Sequence, residues 1–183
     1  MTAGFVRLAG RGLRSDGAVV TWVMAEGRRG RRWREMIVSD GALVHSLLFE
    51  TDPDGRFSHL ELSSIAGLAT LHPEGDGTLH GNVVRGEGGV THVVGVPFPP
   101  DAVVLVLGSP VAEAAARWGI EGLEGEGSAV GAVGAVGAVI VDPRTLEVRG
   151  GLVQPSELVA IDGRGIPVLG DAVTWPLEAG TEV

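Results

Sequence analysis

The chain predicts a mostly β fold: a strongly curved antiparallel meander forming a half barrel or barrel, with one short helix across the opening. Three observations predict it. Short alternating or continuous apolar runs recur along most of the 183 residues. Strong turn signals, Thr51-Asp52-Pro53-Asp54-Gly55 and Pro73-Glu74-Gly75-Asp76-Gly77, cut these runs apart. Pro53 presets the φ of a turn corner, and the glycines accept the positive φ of tight reversals. Only one stretch, Ser109 to Trp118, carries a helical start signal followed by a helical stripe.

Taken in order, Val6 to Leu8 and Val19 to Met24 are short strands, joined by a loop containing Arg11, Gly12, Arg14, Asp16 and Gly17. In the second, Val20, Trp22 and Met24 share a face because side chains alternate along a strand. Arg28, Arg29, Arg31 and Arg32 then crowd a hairpin end. Such a cluster either contacts an anion or keeps an edge solvated and unpaired, and the second reading is the simpler in an acidic chain. On Trp33 to Val38, Trp33, Glu35 and Ile37 oppose Arg34, Met36 and Val38.

Ser39-Asp40-Gly41 turns the chain into Leu43 to Glu50, with His45, Leu47 and Phe49 on one face. Arg56 to Ser63 follows, with Phe57, His59 and Glu61 facing away from Ser58, Leu60 and Leu62. Ile65 to His72 and Leu79 to Arg85 form a hairpin, and Val90 to Val96 is the next strand. Pro97-Phe98-Pro99-Pro100 breaks the ladder, since Pro cannot donate to a sheet. Ala102 to Leu107 reads as a buried strand. Ser109 is then an N-cap, Pro110 a first helical residue and Glu113 an acidic first-turn residue, with Val111, Ala114, Ala115 and Trp118 as the apolar stripe.

Gly119 to Gly127 is Gly-rich and acidic, as a mobile loop would be. The tripeptide repeat from Ala129 to Val139 fits a strand buried on both sides, where small residues are tolerated, or the close approach of a ligand or neighbouring strand to bare backbone, and the first is the simpler reading. Leu146 to Val153, Leu158 to Ile161 and Ala172 to Trp175 finish the sheet, leaving a tail after about residue 176. The length suits a single β-rich domain, 1–183.

Composition narrows the chemistry. Hydrophobic residues at 44% and charged residues at 20% are in the globular range, so the chain is expected to fold rather than stay disordered. There is no Cys, which excludes disulfides, thiolate metal sites and thiol nucleophiles. A net charge of −9 argues against a nucleic-acid partner, because phosphate neutralisation needs a basic face. All 14 basic residues are Arg, so Schiff-base and phosphate-loop lysines are excluded too. No apolar run reaches the length of a spanning helix, and Met1 to Arg7 shows no secretory pattern, so a cytoplasmic, non-spanning protein is expected.

No diagnostic catalytic motif appears, and neither a catalytic residue nor a cofactor is assigned. His45, His59, His72, His80 and His92 lie on five consecutive strand segments. If Pro73 to Leu79 closes a hairpin, His72 falls opposite His80, within reach of a shared divalent ion. The usual close pair spacings of zinc sites are missing, so these two are candidates for a metal only. Trp22, Trp33, Phe49 and Phe57, with His45 and His59, are candidates to line a cavity on the curved sheet, although aromatics so placed also simply fill a core.

Val20-Thr21-Trp22 through Trp33-Arg34-Glu35, Leu60-Glu61-Leu62 leading to Leu79-His80-Gly81-Asn82-Val83-Val84, Val96-Pro97-Phe98, and Gly137 to Asp142 carry a resemblance. They resemble a bacterial glycolipid-binding family, whose sheet is similar to that of lipoprotein-carrier proteins, in a match that spans about two thirds of the chain. The chain departs from it in having no Asn-Thr-Leu-Pro run after Pro97-Phe98. The resemblance implies a long antiparallel sheet curled into a half barrel with an apolar concave face. The expected function is non-catalytic binding of a lipid-like or other apolar small molecule there. A metal-assisted enzyme using the strand histidines and a homodimer built on exposed strand edges are the alternatives.

Overall fold

The computed structural model describes residues 6–86, 88–124 and 134–177. Nine strands form one open antiparallel sheet. They are β1 (Val6–Leu13), β2 (Val19–Gly27), β3 (Gly30–Ser39), β4 (Ala42–Thr51), β5 (Phe57–Ser64), β6 (Gly67–Pro73), β7 (Thr78–Arg85), β8 (Val90–Pro97) and, at the far end of the chain, β12 (Gly170–Pro176). The order is β12-β1-β2-β3-β4-β5-β6-β7-β8, so the expected meander is present and it stays a half barrel or curved sheet without closing.

Local chemistry sets the hairpins. Between β3 and β4, Asp40 and Gly41 both take positive φ, 51° and 77°, and Ser39 pairs with Ala42. Such a two-residue turn needs left-handed backbone twice, which Asp-Gly supplies at little cost. Between β4 and β5, the Asp52 carboxylate accepts the backbone N–H groups of Asp54 and Arg56, both at 2.9 Å, in place of the turn's missing partners.

A second sheet lies over the first. It contains β9 (Val103–Val106), β10 (Val136–Asp142) and β11 (Glu147–Val153), in the order β11-β10-β9. β9 and β10 run parallel, joined through the helix α1 (Pro110–Glu124). This corrects the expectation that neighbours pair antiparallel throughout and that Leu146 to Val153 extends the main sheet. The four residues of β9 are all buried, and a strand apolar on both faces suits a sheet covered on both sides. Val104, Val106, Val139 and Val141 pack toward the large sheet. Val103, Leu105 and Ala138 pack instead with Ala116 and Ile120 of α1 and with Leu158.

Two further expectations are corrected. Leu158 to Ile161 is not a strand; only an isolated bridge, Ile161 to Pro167, forms there. The helix does not end at Trp118 but runs to Glu124, through a glycine that suggests a terminus. At Gly119 a Cβ would sit 2.7 Å from the carbonyl oxygen of Gly55, so the bare backbone lets helix and turn approach. Of the Gly-rich segment read as a loop, 119–124 is therefore helical, and its remainder and the first part of the tripeptide repeat lie outside the described residues.

Candidate functional site

The inner face of the large sheet, the face against α1 and the second sheet, is filled by its own side chains. Trp22 and Trp33 meet edge to face with centroids 5.7 Å apart. Phe49, Phe57 and Phe98 form a second run, at 5.3 and 5.8 Å. Offset and edge-on contacts of this kind suit the ring quadrupoles. Trp22, Trp33 and His45, three of the six expected cavity-lining residues, are thus buried in a packed core rather than facing open space.

Phe49 and Phe57 do face an opening. A cleft with about 20 Å³ of free volume lies where the end of β4 and the start of β5 meet β9 and the second half of α1. Its walls are Phe49, Phe57, Val104, Ala115, Ala116 and Ile120, and Arg56 and Asp101 also line it. Thr51 lines it as well, and its hydroxyl is buried and without a hydrogen-bond partner among the described residues. The cleft adjoins a wider, open groove lined by Pro53, Asp54, Arg56, Trp118 and Glu121, and the two share Gly55 and Arg56.

His59 is not with them. Alternation along β5 predicts Phe57, His59 and Glu61 on one face, but the β4–β5 register shifts between Glu50 and Thr51. Phe57 pairs with Thr51 and His59 with Glu50, so Ser58 is an extra residue. A bulge of this kind moves Phe57 to the inner face with Leu60 and Leu62 and leaves His59 outside, where its Nε2 lies 3.2 Å from Glu61 Oε1.

His72 pairs with His80 in the β6–β7 register, as the hairpin reading predicts. His72 Nε2 contacts Glu74 Oε1 at 3.0 Å, and His92 Nδ1 contacts Asn82 Oδ1 at 2.8 Å. Among the described residues no three His, Asp or Glu side chains converge as a metal site would require.

One buried polar cluster was missed from the sequence. Glu35 stands on β3 between Trp33 and Ile37, with its side chain and that of His45 both 0% exposed. Its carboxylate accepts hydrogen bonds from Ser109 Oγ at 2.6 Å, His45 Nε2 at 3.1 Å and the backbone N–H of Val111 at 3.0 Å. Ser109 Oγ in turn accepts the N–H of Ala112 at 3.0 Å, so the predicted N-cap is present. A carboxylate at a helix N-terminus meets the positive end of the helix dipole, and here it takes one of the orphan backbone donors, the Val111 N–H, while Ser109 takes another. Ser, Glu and His together suggest a nucleophile set, but here Ser109 and His45 both point at the carboxylate and not at each other. The cluster lacks the serine-to-imidazole contact of a hydrolytic triad and is sealed from solvent. It pins α1 to the sheet. The signal was a carboxylate in the middle of a core-facing strand face.

A second anchor holds the other half of α1. The Arg31 guanidinium lies 4.1 Å above the Trp118 ring, pairs with Glu26 at 3.0 Å and donates to the Arg164 carbonyl at 2.7 Å. Burial lowers its pKa, an effect the neighbouring Glu26 partly offsets. One member of the arginine cluster is thus structural, while Arg28 and Arg29 stay at the exposed hairpin end. Burial likewise pushes the Glu113 carboxyl up, against the hydrogen bond it accepts from the Val159 N–H.

Comparison with family models, with curated proteins and with solved structures finds no match to this chain.

Proposed function

We propose that the protein binds a lipid-like small molecule without catalysing its conversion. The apolar part enters the cleft between Phe49, Phe57 and α1, and the polar end stays in the adjoining groove beside Arg56, Asp54 and Trp118. The observation that carries the reading is this adjacency: an apolar cleft whose lining includes Thr51, with its buried and unpartnered hydroxyl, shares Gly55 and Arg56 with an open groove that adds Asp54, Glu121 and Trp118. Sites for small molecules combine an apolar lining with a few placed polar groups in this way. The resemblance to the glycolipid-binding family points in the same direction. About 20 Å³ is room for a single water, so a ligand must part α1 from the β4–β5 turn as it enters.

The test is native mass spectrometry of the purified protein, with thermal melts in octyl glucoside and methyl glucoside below micelle concentrations. A retained apolar adduct, and a melting temperature raised by octyl glucoside and not by methyl glucoside, are the expected results. At a ligand concentration 100-fold above Kd the stabilisation is about 2.7 kcal/mol. Absence of any adduct together with identical melts in both glucosides overturns the reading.

A further inference from the structure

The outer face of the large sheet, turned away from α1, is not uniformly polar. Across β2 to β6 the ladder aligns Thr21, Met36, Ser46, Ser63 and Leu68 in one row. The next row is Val23, Arg34, Leu48, Glu61 and Thr70. Val23, Met36 and Leu68 are 42%, 48% and 41% exposed; Val23 and Met36 stand on neighbouring strands, and Leu68 lies beyond Ser46 and Ser63 in the first row. A shallow trough of about 320 Å³ runs over both rows.

We infer that this face is where a second copy of the same chain docks. The argument is the charge pattern in the second row. Arg34 and Glu61 flank Leu48 on either side, one strand spacing from it in each direction, so they stand about 10 Å apart. Arg34 has no ion-pair partner among the described residues, and Glu61 contacts only His59 of its own strand. Place a two-fold axis in the interface, running along β4 above Leu48. It exchanges the two sides of the face, setting Arg34 of each copy over Glu61 of the other and Leu48 over Leu48. A patch with one cation and one anion placed symmetrically about an apolar centre is complementary to itself, as an isologous dimer requires. Five strands about 4.8 Å apart and about 26 Å long offer at most roughly 600 Å² of face on a curved sheet, which places the dimer at the small, weakly associating end of interface sizes.

Pairing through strand edges, the other route to a dimer, is obstructed. β8 carries a bulge against β7, with Gly95 at φ 68°, and ends in Pro97. β12 has an irregular register against β1 and Asp171 at φ 48°. Bulges, prolines and twisted ends are how proteins keep edges unpaired.

Sedimentation equilibrium of the full chain, wild type and charge variants, tests the inference. Wild type is expected to dimerise in the micromolar to sub-millimolar range. Arg34→Glu and Glu61→Arg each place like charges over one another twice and are expected to weaken the dimer at least about tenfold, since like-charge juxtaposition is costly. An equimolar mixture of the two variants has opposite charges at both contacts and is expected to recover wild-type association as a heterodimer, which also shows that each variant is folded. A wild type that stays monomeric throughout the range overturns the inference. So does a dimer that both single variants leave intact, or one that the mixture fails to restore.

Discussion

Replacing Glu35 is expected to cost more stability than any exposed carboxylate substitution, and the structure allows the cost to be worked out. Three donors converge on its two oxygens: the Ser109 hydroxyl, the His45 ring N–H and the Val111 amide, at 2.6, 3.1 and 3.0 Å. In Glu35→Ala all three are left buried without a partner. At about 1 to 2 kcal/mol for each unsatisfied donor, the loss is about 3 to 6 kcal/mol. That is a large part of the roughly 5 to 15 kcal/mol by which a domain is usually stable.

Glu35→Gln is the sharper variant because it keeps the volume. Its carbonyl oxygen can still serve Ser109 and His45, but its amide NH₂ then faces the Val111 N–H, donor against donor. The expected cost is about 1 to 3 kcal/mol, a fall in melting temperature of about 2 to 12 °C for a chain of this length. Urea denaturation measures it as a lower midpoint at unchanged slope. Glu147→Gln, exposed at the start of β11, serves as the control and is expected to stay within about 0.5 kcal/mol of wild type. If both Glu35 variants behave like that control, the carboxylate is not what fixes the helix, and the account of the cluster is wrong. Pairing Glu35→Gln with Ser109→Ala in a double-mutant cycle adds a second check: two residues sharing one hydrogen bond are expected to be non-additive by about 0.5 to 3 kcal/mol.

Other perturbations have equally definite outcomes. Burial raises the folded-state pKa of Glu113, so its ionisation opposes folding, and the penalty grows as pH rises from the ordinary 4.5 through the folded value. Glu113→Gln keeps an acceptor for the Val159 N–H and is expected to raise stability at neutral pH, with the gain fading as pH falls toward 4.5; urea midpoints across that range measure it. Gly165 has φ 74°, and a Cβ there would lie 2.5 Å from Arg31 Nη1 and 2.6 Å from the Trp118 ring. Gly165→Ala is therefore expected to cost about 1 to 3 kcal/mol through backbone strain and to shift the Trp118 fluorescence as the guanidinium is pushed from the ring. An unchanged spectrum and midpoint would mean that Arg31 does not depend on that turn.

Much of the fold was legible because it is local. Asp40-Gly41 and the Asp52 to Gly55 turn specify reversals from their own residues, and sequential strands joined by such turns have little choice but to pair with their neighbours. Ser109 and Pro110 located the start of α1 for the same reason. The candidate site was less legible. Phe49 and Phe57, named together, both line the cleft, but alternation alone set His59 beside Phe57, and one inserted residue at Ser58 reversed its facing. Gly119 was read as a helix end because nothing in its neighbourhood announces the carbonyl of Gly55, 64 positions earlier in the chain, against which it packs.

From sequence alone, this chain's composition, turns and period-two patterning determine an antiparallel sheet with one helix, and the absence of Cys and Lys from it removes thiol and lysine chemistry. The tertiary structure decided the rest: that the sheet stays open, that β9 and β10 pair in parallel across α1, that the aromatic face is mostly packed shut, and that Glu35, His45 and Ser109 meet. The physical reason is one of range. Turns and alternation are settled by residues a few positions apart. The Glu35 to Ser109 contact joins groups 74 positions apart, and only burial of the whole inner face brings them together.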